Sequence, residues 1–455
     1  MWQHFNNGTW YLDCFGSGAV NIRAVQNGDK NHNAASMLSK TLIVMGTGGD
    51  PSNPQIFLNV ENAGTLPDLI AENRKYQIKN LRLTGYLNGT DINFLREMSG
   101  SDSYGNSTPG VLETLDISGC TIVSGGRSYY KSCQTYNNKV SDYMFYNCKQ
   151  LVNLMLPENT TEIEDYAFAD CDRLSVISIP DGVKSFGVQS FRNDISLLRI
   201  PMPSGLISIK DYAFIGCNGI SEITIPVSVT TIGDGIVKGC QNISKINVAE
   251  GNNHFTSEDG VLYTSNFDEL LIFPVNYESN SYVVKAGTKT IAPYAFVNSK
   301  KLSEVTLPST LTNIGEDAFI GCVNLSSLQV KALNPPVCYN DCFEAVSKTR
   351  CELIVPKGCY SYYWVAPVWS DFNKIKEADF SDVVNTSINN IAVVVENHCI
   401  VVKGLSDNDV VNIFQMDGTL VHHTQSTGNI LRYNPATPGT YLVVAANKTY
   451  KLLVR

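Results

Sequence analysis

The sequence predicts a mainly β fold, a solenoid of short coils stacked at a period of 23 residues. Phenylalanine repeats at this spacing, with one valine in the series and a restart after an insertion, at Phe145, Phe168, Phe191, Phe214, Val237, Phe296 and Phe319. Proline recurs at a constant distance from this phenylalanine series, at Pro157, Pro180, Pro203, Pro226 and Pro308. A 23-residue unit cannot bury its apolar faces alone, so neighbouring coils must stack.

The chain before the regular repeats divides into two predicted parts. Residues 1–60 form a β-rich region of unassigned fold, with strand-like runs at Thr9–Leu12 and Leu42–Met45. Residues 61–140 form an N-terminal cap and the first irregular coils, since a solenoid needs its open end covered. In this part Ile78–Leu83 and Leu112–Ile117 have strand alternation, and Asp91–Met98 has helical spacing.

Each repeat contains two apolar segments. The first, Ile223–Ile225 in the repeat that starts at Cys217, alternates and is β-branched, so we predict a strand whose residues 223 and 225 point inward. Pro226 ends this strand because proline has no amide donor. The second segment places an apolar residue inward in every coil, and Asp211–Phe214 suits a single helical turn that closes the coil. The inward residues of this second segment form the column Ile163, Phe186, Ile209, Ile232, Ile291 and Ile314.

Thirteen cysteines require sorting by position. Five share one column of the repeat, namely Cys148, Cys171, Cys217, Cys240 and Cys322. Cysteine behaves as a small apolar residue, so we predict a buried column; a metal ladder is the alternative, which Asp194 and Ser299 in the same column weaken. Four others lie outside it and could hold one or two disulfides, namely Cys338, Cys342, Cys351 and Cys359.

The combined pattern is Cys-x-x-Leu-x-x-Ile-x-Ile-Pro-x-x-Val-x-x-Ile-Gly-x-x-Ala-Phe, and it resembles the BspA-type leucine-rich repeat of bacterial surface proteins. The resemblance covers about residues 112–375. It includes a longer repeat variant around 257–274 and a terminal repeat formed by Cys351–Pro356 and the residues after it. We therefore expect a leucine-rich repeat solenoid over 141–380 with an insertion at 249–284.

Three departures from the pattern predict irregular coils, and one of them is Asp194 in place of the cysteine. Pro201 enters a predicted strand, and residues 120–139 keep little of the repeat.

Residues 385–455 lose the period and alternate short strands with turns, which predicts an antiparallel β-sandwich. The strands are expected at Ile391–Glu396, Cys399–Lys403, Val410–Gln415, Thr419–His423, Gly439–Val444 and Lys448–Val454. The runs Val411–Val421 and Pro438–Val443 resemble the C-terminal sorting domains of secreted proteins of the Bacteroidetes type.

Composition excludes several classes of partner. The net charge of −9 and the lack of Lys/Arg clusters argue against nucleic acid or an anionic membrane surface. No apolar run approaches the roughly 20 residues that span a bilayer. Met1–Phe5 lacks the features of a secretory signal, so the protein is either cytosolic or has a signal that this sequence does not contain.

Catalytic patterns are weak, and we expect no enzyme activity, no cofactor and no metal. None of the six histidines lies in a regular repeat, and His422–His423 is read as a surface pair. Gly46–Asp50 lacks the Lys-Ser/Thr of a phosphate-binding loop. Asp407–Asp409 and Glu258–Asp259 lack the spacing of a calcium loop and are read as turns.

An aromatic run near the end of the repeats has two interpretations. Its members are Tyr360, Tyr362, Tyr363, Trp364 and Trp369. Buried, they cover the last coil, which is the interpretation we favour; exposed, they could stack on sugar rings or anchor a peptide.

A binding surface is predicted on the outward positions of the strands. The two columns contain Asn153, Met155, Val176, Ser178, Arg199, Glu222, Thr224, Lys245, Asn247, Glu304, Thr306, Ser327 and Gln329. They are mixed in charge, which suits protein or glycan contacts and offers nothing to a polyanion; the plainer alternative is a solvated strand face.

The family resemblance implies a secreted or cell-surface adhesion protein that contacts host or bacterial macromolecules, and we expect a monomer. A glycan-capturing or structural component of an envelope assembly is the alternative. A hydrolase that uses the insertion at 249–284 would need acidic residues converging in a cleft there.

Overall fold

A computed structural model describes residues 55–339 and 342–380 and, outside these, the segments 2–6, 9–13, 18–24, 38–44, 392–396, 398–405, 409–416, 419–428, 430–445 and 448–454. The chain forms two compact units, Met1–Asp379 and Phe380–Arg455. Both consist mainly of β-strands.

The strands of the first unit are short. In chain order they are β1 Trp2–Asn6, β2 Thr9–Asp13, β3 Gly18–Ala24, β4 Leu38–Val44, β5 Gln55–Val60, β6 Asn80–Leu87, β7 Thr114–Ile122, β8 Gly125–Tyr130, β9 Cys133–Thr135, β10 Lys139–Val140, β11 Asn153–Met155, β12 Glu162–Ile163, β13 Val176–Ser178, β14 Ser185–Phe186, β15 Ser208–Ile209, β16 Glu222–Ile225, β17 Thr231–Ile232, β18 Lys245–Val248, β19 Phe255–Glu258, β20 Val261–Thr264, β21 Glu269–Ile272, β22 Ser281–Val283, β23 Thr290–Ile291, β24 Glu304–Leu307, β25 Asn313–Ile314, β26 Ser327–Val330, β27 Val337–Cys338, β28 Glu352–Pro356 and β29 Lys374–Ala378.

Helices are few among the described residues. They are α1 Leu66–Leu69, α2 Gly89–Met98, α3 Tyr360–Val365 and the 3₁₀ turns Glu72–Gln77 and Trp369–Asp371. The predicted helix at Asp91–Met98 is confirmed as α2. Its start is set by a capping box, because the Asn88 side chain accepts from the Thr90 amide and the Asp91 carboxylate accepts from the Asn88 amide at 2.9 Å.

Parallel pairing builds two walls of the solenoid. One wall is the first strand of each repeat, in the sheets β5-β6-β7-β11-β13, β16-β18 and β22-β24-β26-β28-β29. The other is the second segment of each repeat, in β10-β12-β14-β15-β17 and β19-β20-β21-β23-β25-β27. Successive strands pair one repeat apart, as Ile163 with Phe186 and Phe186 with Ile209, so the two predicted segments of the repeat are confirmed as strands.

The interior is made of stacked columns. The rings of Phe145, Phe168, Phe191 and Phe214 follow one another with centroids 5.2–5.9 Å apart. Beyond the insertion, Phe296, Phe319 and Phe343 continue the stack at 4.6 and 5.0 Å. The cysteine column is confirmed as buried, since Cys148, Cys171, Cys217, Cys240 and Cys322 are all 0% exposed.

The strand wall is interrupted twice. In the repeat that contains Pro201 the first segment forms no strand, as expected for an irregular coil, because proline cannot donate to the ladder; the second segment still forms β15. At the insertion, β19 and β20 pair antiparallel and β21 then resumes parallel pairing with β23. The parallel sheet also includes β5 and β6, so stacked coils begin at Gln55, before the regular repeats.

The region before the solenoid contains the two predicted strands. Thr9–Leu12 lies in β2, which pairs antiparallel with β1. Leu42–Val44 lies in β4, which pairs antiparallel with β3, and Met45 is outside the described residues.

The second unit has two antiparallel sheets. Its strands are β30 Ala392–Glu396, β31 Cys399–Lys403, β32 Val410–Gln415, β33 Leu420–Gln425, β34 Ile430–Tyr433, β35 Gly439–Ala445 and β36 Lys448–Val454. The sheets are β30-β31-β34 and β33-β32-β35-β36. Ile400 and Val402 of one sheet share a buried core with Val411 and Ile413 of the other, which confirms the predicted antiparallel fold. Strand β34 was not predicted, although the turn-forming sequence Ser-Thr-Gly-Asn at 426–429 directly precedes it.

Candidate binding surface

Strand register places the predicted surface residues in columns. Glu222 pairs with Lys245 and Thr224 with Asn247 in the sheet β16-β18. Farther along, Glu304 pairs with Ser327 and Thr306 with Gln329. The residues between them, such as Ile223 and Ile246, are buried, so the alternation of each strand turns the columns outward.

None of the predicted surface residues is buried. Seven are exposed, namely Val176, Ser178, Arg199, Glu222, Thr224, Lys245 and Glu304. Six are half-buried, namely Asn153, Met155, Asn247, Thr306, Ser327 and Gln329. The structure therefore brings these residues to one wall, which we call the strand face.

The strand face is divided into three sheets rather than one. Asn153, Met155, Val176 and Ser178 belong to the first sheet, and Arg199 belongs to none. Leu198, next to Arg199, is 72% exposed because the proline repeat leaves this part of the wall without a strand. Exposed Leu198 and exposed Val176 add apolar area to a polar surface.

Sequence reasoning missed residues at both ends of the columns. Thr114 and Asp116 align with Asn153 and Met155, and Glu352 aligns with Ser327. The strand alternation at 112–117 could have placed the first two, but the weak repeat pattern there concealed the register. Ion pairs cross these ends, since Arg82 contacts Asp116 at 3.1 Å and Arg173 contacts Glu113 at 3.3 Å. Their charges are already compensated within the protein.

The insertion opens a polar cleft of about 550 Å³ on the strand face. Two predicted residues, Lys245 and Asn247, line it together with Asp259, Tyr277 and Glu278. Partial burial raises the pKa of the Tyr277 phenol, and Asp259 raises it further, so this phenol is a neutral donor at physiological pH. The cleft offers hydrogen-bonding groups of both charges beside an aromatic ring.

The aromatic run at the last coil contains both buried rings that cover the core and exposed rings that could bind a ligand. Tyr363 and Trp369 are 0% and 1% exposed and cover the core, with Tyr363 Oη donating to the Ala332 carbonyl at 2.7 Å and Trp369 Nε1 to the Pro336 carbonyl at 2.8 Å. Tyr360 and Trp364 are 41% and 52% exposed, and their rings are 5.8 Å apart at 13°. Two of the five aromatic residues therefore cap the core, and three lie at the open surface.

The histidines are scattered in the described part of the chain, whereas the carboxylates of Asp259 and Glu278 both line the polar cleft at the insertion. His254 is exposed in the insertion, the His422 ring stacks on Tyr433, and His423 Nδ1 contacts Asn412 Oδ1 at 2.5 Å. No group of three or more His, Cys, Asp or Glu side chains suited to a metal ion occurs among the described residues. Gly46–Asp50 and residues 407 and 408 lie outside these residues.

The twelve cysteines in the described part of the chain are thiols. The possibility of disulfides among Cys338, Cys342, Cys351 and Cys359 is wrong, because none of the four is half of a disulfide. In the buried column the thiols of Cys171, Cys217, Cys240 and Cys322 donate instead to phenylalanine carbonyls, as Cys240 Sγ does to Phe214 at 3.0 Å. Burial raises the pKa of Cys240 to about 12, which disfavours the thiolate that metals bind.

Among the described residues, no helix has the length and apolar character needed to cross a membrane.

Comparison with known proteins identifies the repeats. Residues 138–259 and 273–362 match six copies of the BspA type leucine rich repeat region. No curated protein has significant sequence similarity to the chain.

Three solved structures match much of the chain. A leucine-rich repeat protein of Eubacterium ventriosum is 19% identical, with 78% of this chain and 85% of that chain covered and a TM-score of 0.45. A leucine rich cell surface protein of Faecalibacterium prausnitzii is 21% identical, with 67% and 80% covered and a TM-score of 0.40. The pneumococcal vaccine antigen PcpA is 17% identical, with 72% and 94% covered and a TM-score of 0.39.

Proposed function

We propose that this chain, whose solenoid is built of BspA-type leucine-rich repeats, is a non-enzymatic binding protein of the bacterial cell surface or its surroundings. It contacts host or bacterial macromolecules through the strand face and acts in adhesion. The observation that carries the proposal is the pair of outward columns held in register by parallel strands, as Glu222 with Lys245 and Glu304 with Ser327.

The physical argument concerns rigidity and charge. Each surface side chain except Arg199 stands on a strand whose inward neighbours are buried, so little order has to be gained when a partner binds. Basic and acidic residues alternate from Arg199 to Glu304 in the first predicted column, and the second predicted column is uncharged. The face therefore favours a partner recognised by shape and hydrogen bonds over a polyanion. The antiparallel second unit suits attachment or sorting, and the first unit is expected to act as a monomer.

The test uses the full chain against immobilised extracellular matrix proteins, and we expect saturable binding to at least one. A strand-face variant, Glu222→Ala, Thr224→Ala and Lys245→Ala combined, removes three exposed side chains of adjacent repeats. Because a few central residues dominate most interfaces, we expect affinity to fall about tenfold or more in surface plasmon resonance.

The control variant removes the same kinds of side chain from residues that lie off the strand face. Lys184→Ala, Thr230→Ala and Asp234→Ala combined also removes one lysine, one threonine and one carboxylate, all exposed, from residues off the strand face. We expect this variant to bind like the parent. Equal losses in the two variants, or no binding to any matrix protein at high micromolar concentration, would contradict the proposal.

Glycan capture is a second candidate, favoured by one observation. Tyr360, Tyr362 and Trp364 expose 41%, 55% and 52% of their surface within two turns of the short helix α3. Exposed aromatic rings present apolar faces on which sugar rings stack. Such a site would make the protein a glycan-capturing or structural component of an envelope assembly.

This candidate predicts that the double variant Tyr360→Ala, Trp364→Ala loses retention on an array of bacterial and host glycans. The exposed Tyr339, which lies outside the cluster, supplies the control as Tyr339→Ala. Retention of the same glycans by all three proteins, or by none, would rule out capture by the cluster.

A further inference from the structure

The closing turns of the repeats are joined by a regular ladder of backbone hydrogen bonds. In the described part of the chain, five turns each donate three amides to carbonyls of the next turn. In one pair of turns, Tyr212, Phe214 and Gly216 donate to Asp234, Ile236 and Lys238, all at 2.9 Å. A turn thus presents three amides on one edge and three carbonyls on the other, and a further turn is needed to satisfy them.

The ladder is broken where the insertion begins. In the described part of the chain, the amides of Gly235, Val237 and Gly239 donate no hydrogen bond. The turn on the other side of the break receives only one backbone hydrogen bond from the inserted residues, which the Phe273 amide donates to the Ala295 carbonyl at 2.8 Å. The inserted residues therefore replace only a fraction of one turn.

A cleft of about 240 Å³ occupies the place of the missing turn. We call it the turn-side cleft; Val237 and Gly239 lie on one side and Tyr294 and Val297 on the other, with Val275 also in its lining. It shares no lining residue with the polar cleft of the strand face. The valine that breaks the phenylalanine series at 237 contributes to this space, because a smaller side chain fills less of the column.

The charge of the turn-side cleft is opposite to that of the chain. Lys238, Lys300 and Lys301 line it and no Asp or Glu does, although the whole chain has a net charge of −9. Lys238 Nζ is 3.8 Å from the centre of the Tyr294 ring, and Lys301 Nζ donates to Asn276 Oδ1 at 2.6 Å. Neither lysine is neutralised by a carboxylate of the cleft, so a negatively charged group is favoured there.

We propose that the turn-side cleft binds a short acidic peptide that carries a large apolar side chain and supplies the missing turn of the ladder. A peptide backbone provides carbonyls for the amides at Val237 and Gly239. Its apolar side chain fills the space beside Val237 and Val275, and its carboxylates face the lysines. This site is separate from the strand face and does not depend on the function proposed for it.

The repeats themselves suggest the probe. The turn at residues 316–321 reads Glu-Asp-Ala-Phe-Ile-Gly, which combines two carboxylates with a phenylalanine in the fitting backbone geometry. We expect the acetylated, amidated peptide of this sequence, labelled with fluorescein, to bind the full chain saturably in fluorescence anisotropy. Hydrogen exchange at residues 235–240 should slow when it binds, because the open amides gain acceptors.

Two variants separate the parts of the site. Lys300→Glu with Lys301→Glu reverses two exposed charges and should weaken binding about tenfold or more. Val275→Trp should fill the cleft and abolish binding, with folding checked by circular dichroism. Lys374→Glu, an exposed charge reversal at β29, should leave binding unchanged.

The proposal is overturned if the peptide at millimolar concentration does not bind. It is also overturned if the cleft variants bind as tightly as the parent, or if exchange at 235–240 is unchanged in the saturated complex. A peptide with phenylalanine replaced by serine should bind at least about tenfold more weakly, since it lacks the apolar group that fills the cleft.

Discussion

Replacing Phe319 with alanine is expected to lower the free energy of unfolding of the solenoid by about 3–5 kcal/mol. The Phe319 ring is fully buried between Phe296 and Phe343, at centroid distances of 4.6 and 5.0 Å. Its removal leaves a cavity that a stack held by parallel strands cannot close, and both neighbouring rings lose a contact. Denaturation in guanidinium chloride, followed by the fluorescence of Trp369 beside Phe343, measures the loss.

The same column contains the control. Val237→Ala removes two methyl groups next to the open turn-side cleft, so we expect a cost of only about 1–2 kcal/mol. Tyr362→Ala, at an exposed position, should change stability by less than about 0.5 kcal/mol. Similar losses for Phe319→Ala and Val237→Ala would show that the ring stack is not what stabilises the turns.

Replacing Asp194 with cysteine is expected to stabilise the protein at neutral pH by about 1–3 kcal/mol. Asp194 occupies the buried cysteine column and is 0% exposed. Its Oδ1 accepts from the Cys171 amide at 2.9 Å, while Oδ2 has no hydrogen-bond partner among the described residues. A cysteine thiol there can donate to the Phe168 carbonyl, as the thiols of Cys171 and Cys217 do to theirs.

The gain should depend on pH. Burial raises the pKa of the Asp194 carboxyl well above its usual range, and the nearby Asp170 and Asp172 raise it further. The folded state then keeps a proton that the unfolded chain releases above about pH 4, so the parent loses stability as pH rises from there towards the raised pKa. The advantage of Asp194→Cys should be small at pH 4 and large at pH 7, measured by denaturation of both proteins at each pH.

Ser299 supplies the matched control for this effect. It occupies the same column, and its buried hydroxyl lacks a partner among the described residues but does not titrate. Ser299→Cys should therefore also stabilise the protein, because it replaces a buried polar group without a partner by a thiol. The gain should be the same at pH 4 and pH 7. A pH-independent gain for Asp194→Cys would mean that its carboxyl is not the source of the destabilisation.

Much of the fold could be read from periodicity. The stacking of Phe145 to Phe214, the inward Ile223 and Ile225, and the buried cysteine column all follow from residues that recur in fixed phase. The strand-face columns followed from the same phase, because outward positions are those between inward ones. Pro201 marked the interruption of the sheet because a missing amide is a local property of the residue.

Other features depended on contacts between distant residues. Cysteine spacing left disulfides open, and only the fold showed that the four late cysteines remain thiols. The division of the aromatic run between Tyr363 in the core and Trp364 at the surface follows from how α3 lies on the last coil. The spacing of the aromatic residues in the sequence could not show which of these two side chains is buried.

The sequence by itself determined the repeat, its period and which side chains face inward, because each is set by local pattern and by the identical environment of successive coils. Only the tertiary structure decided where a turn has no following turn to accept hydrogen bonds from its backbone amides. The open amides at Gly235, Val237 and Gly239 exist because 36 inserted residues return to the stack at Phe273 and supply one hydrogen bond where a full turn supplies three. Whether a backbone donor finds its acceptor is a matter of distance in space, which the order of residues does not contain.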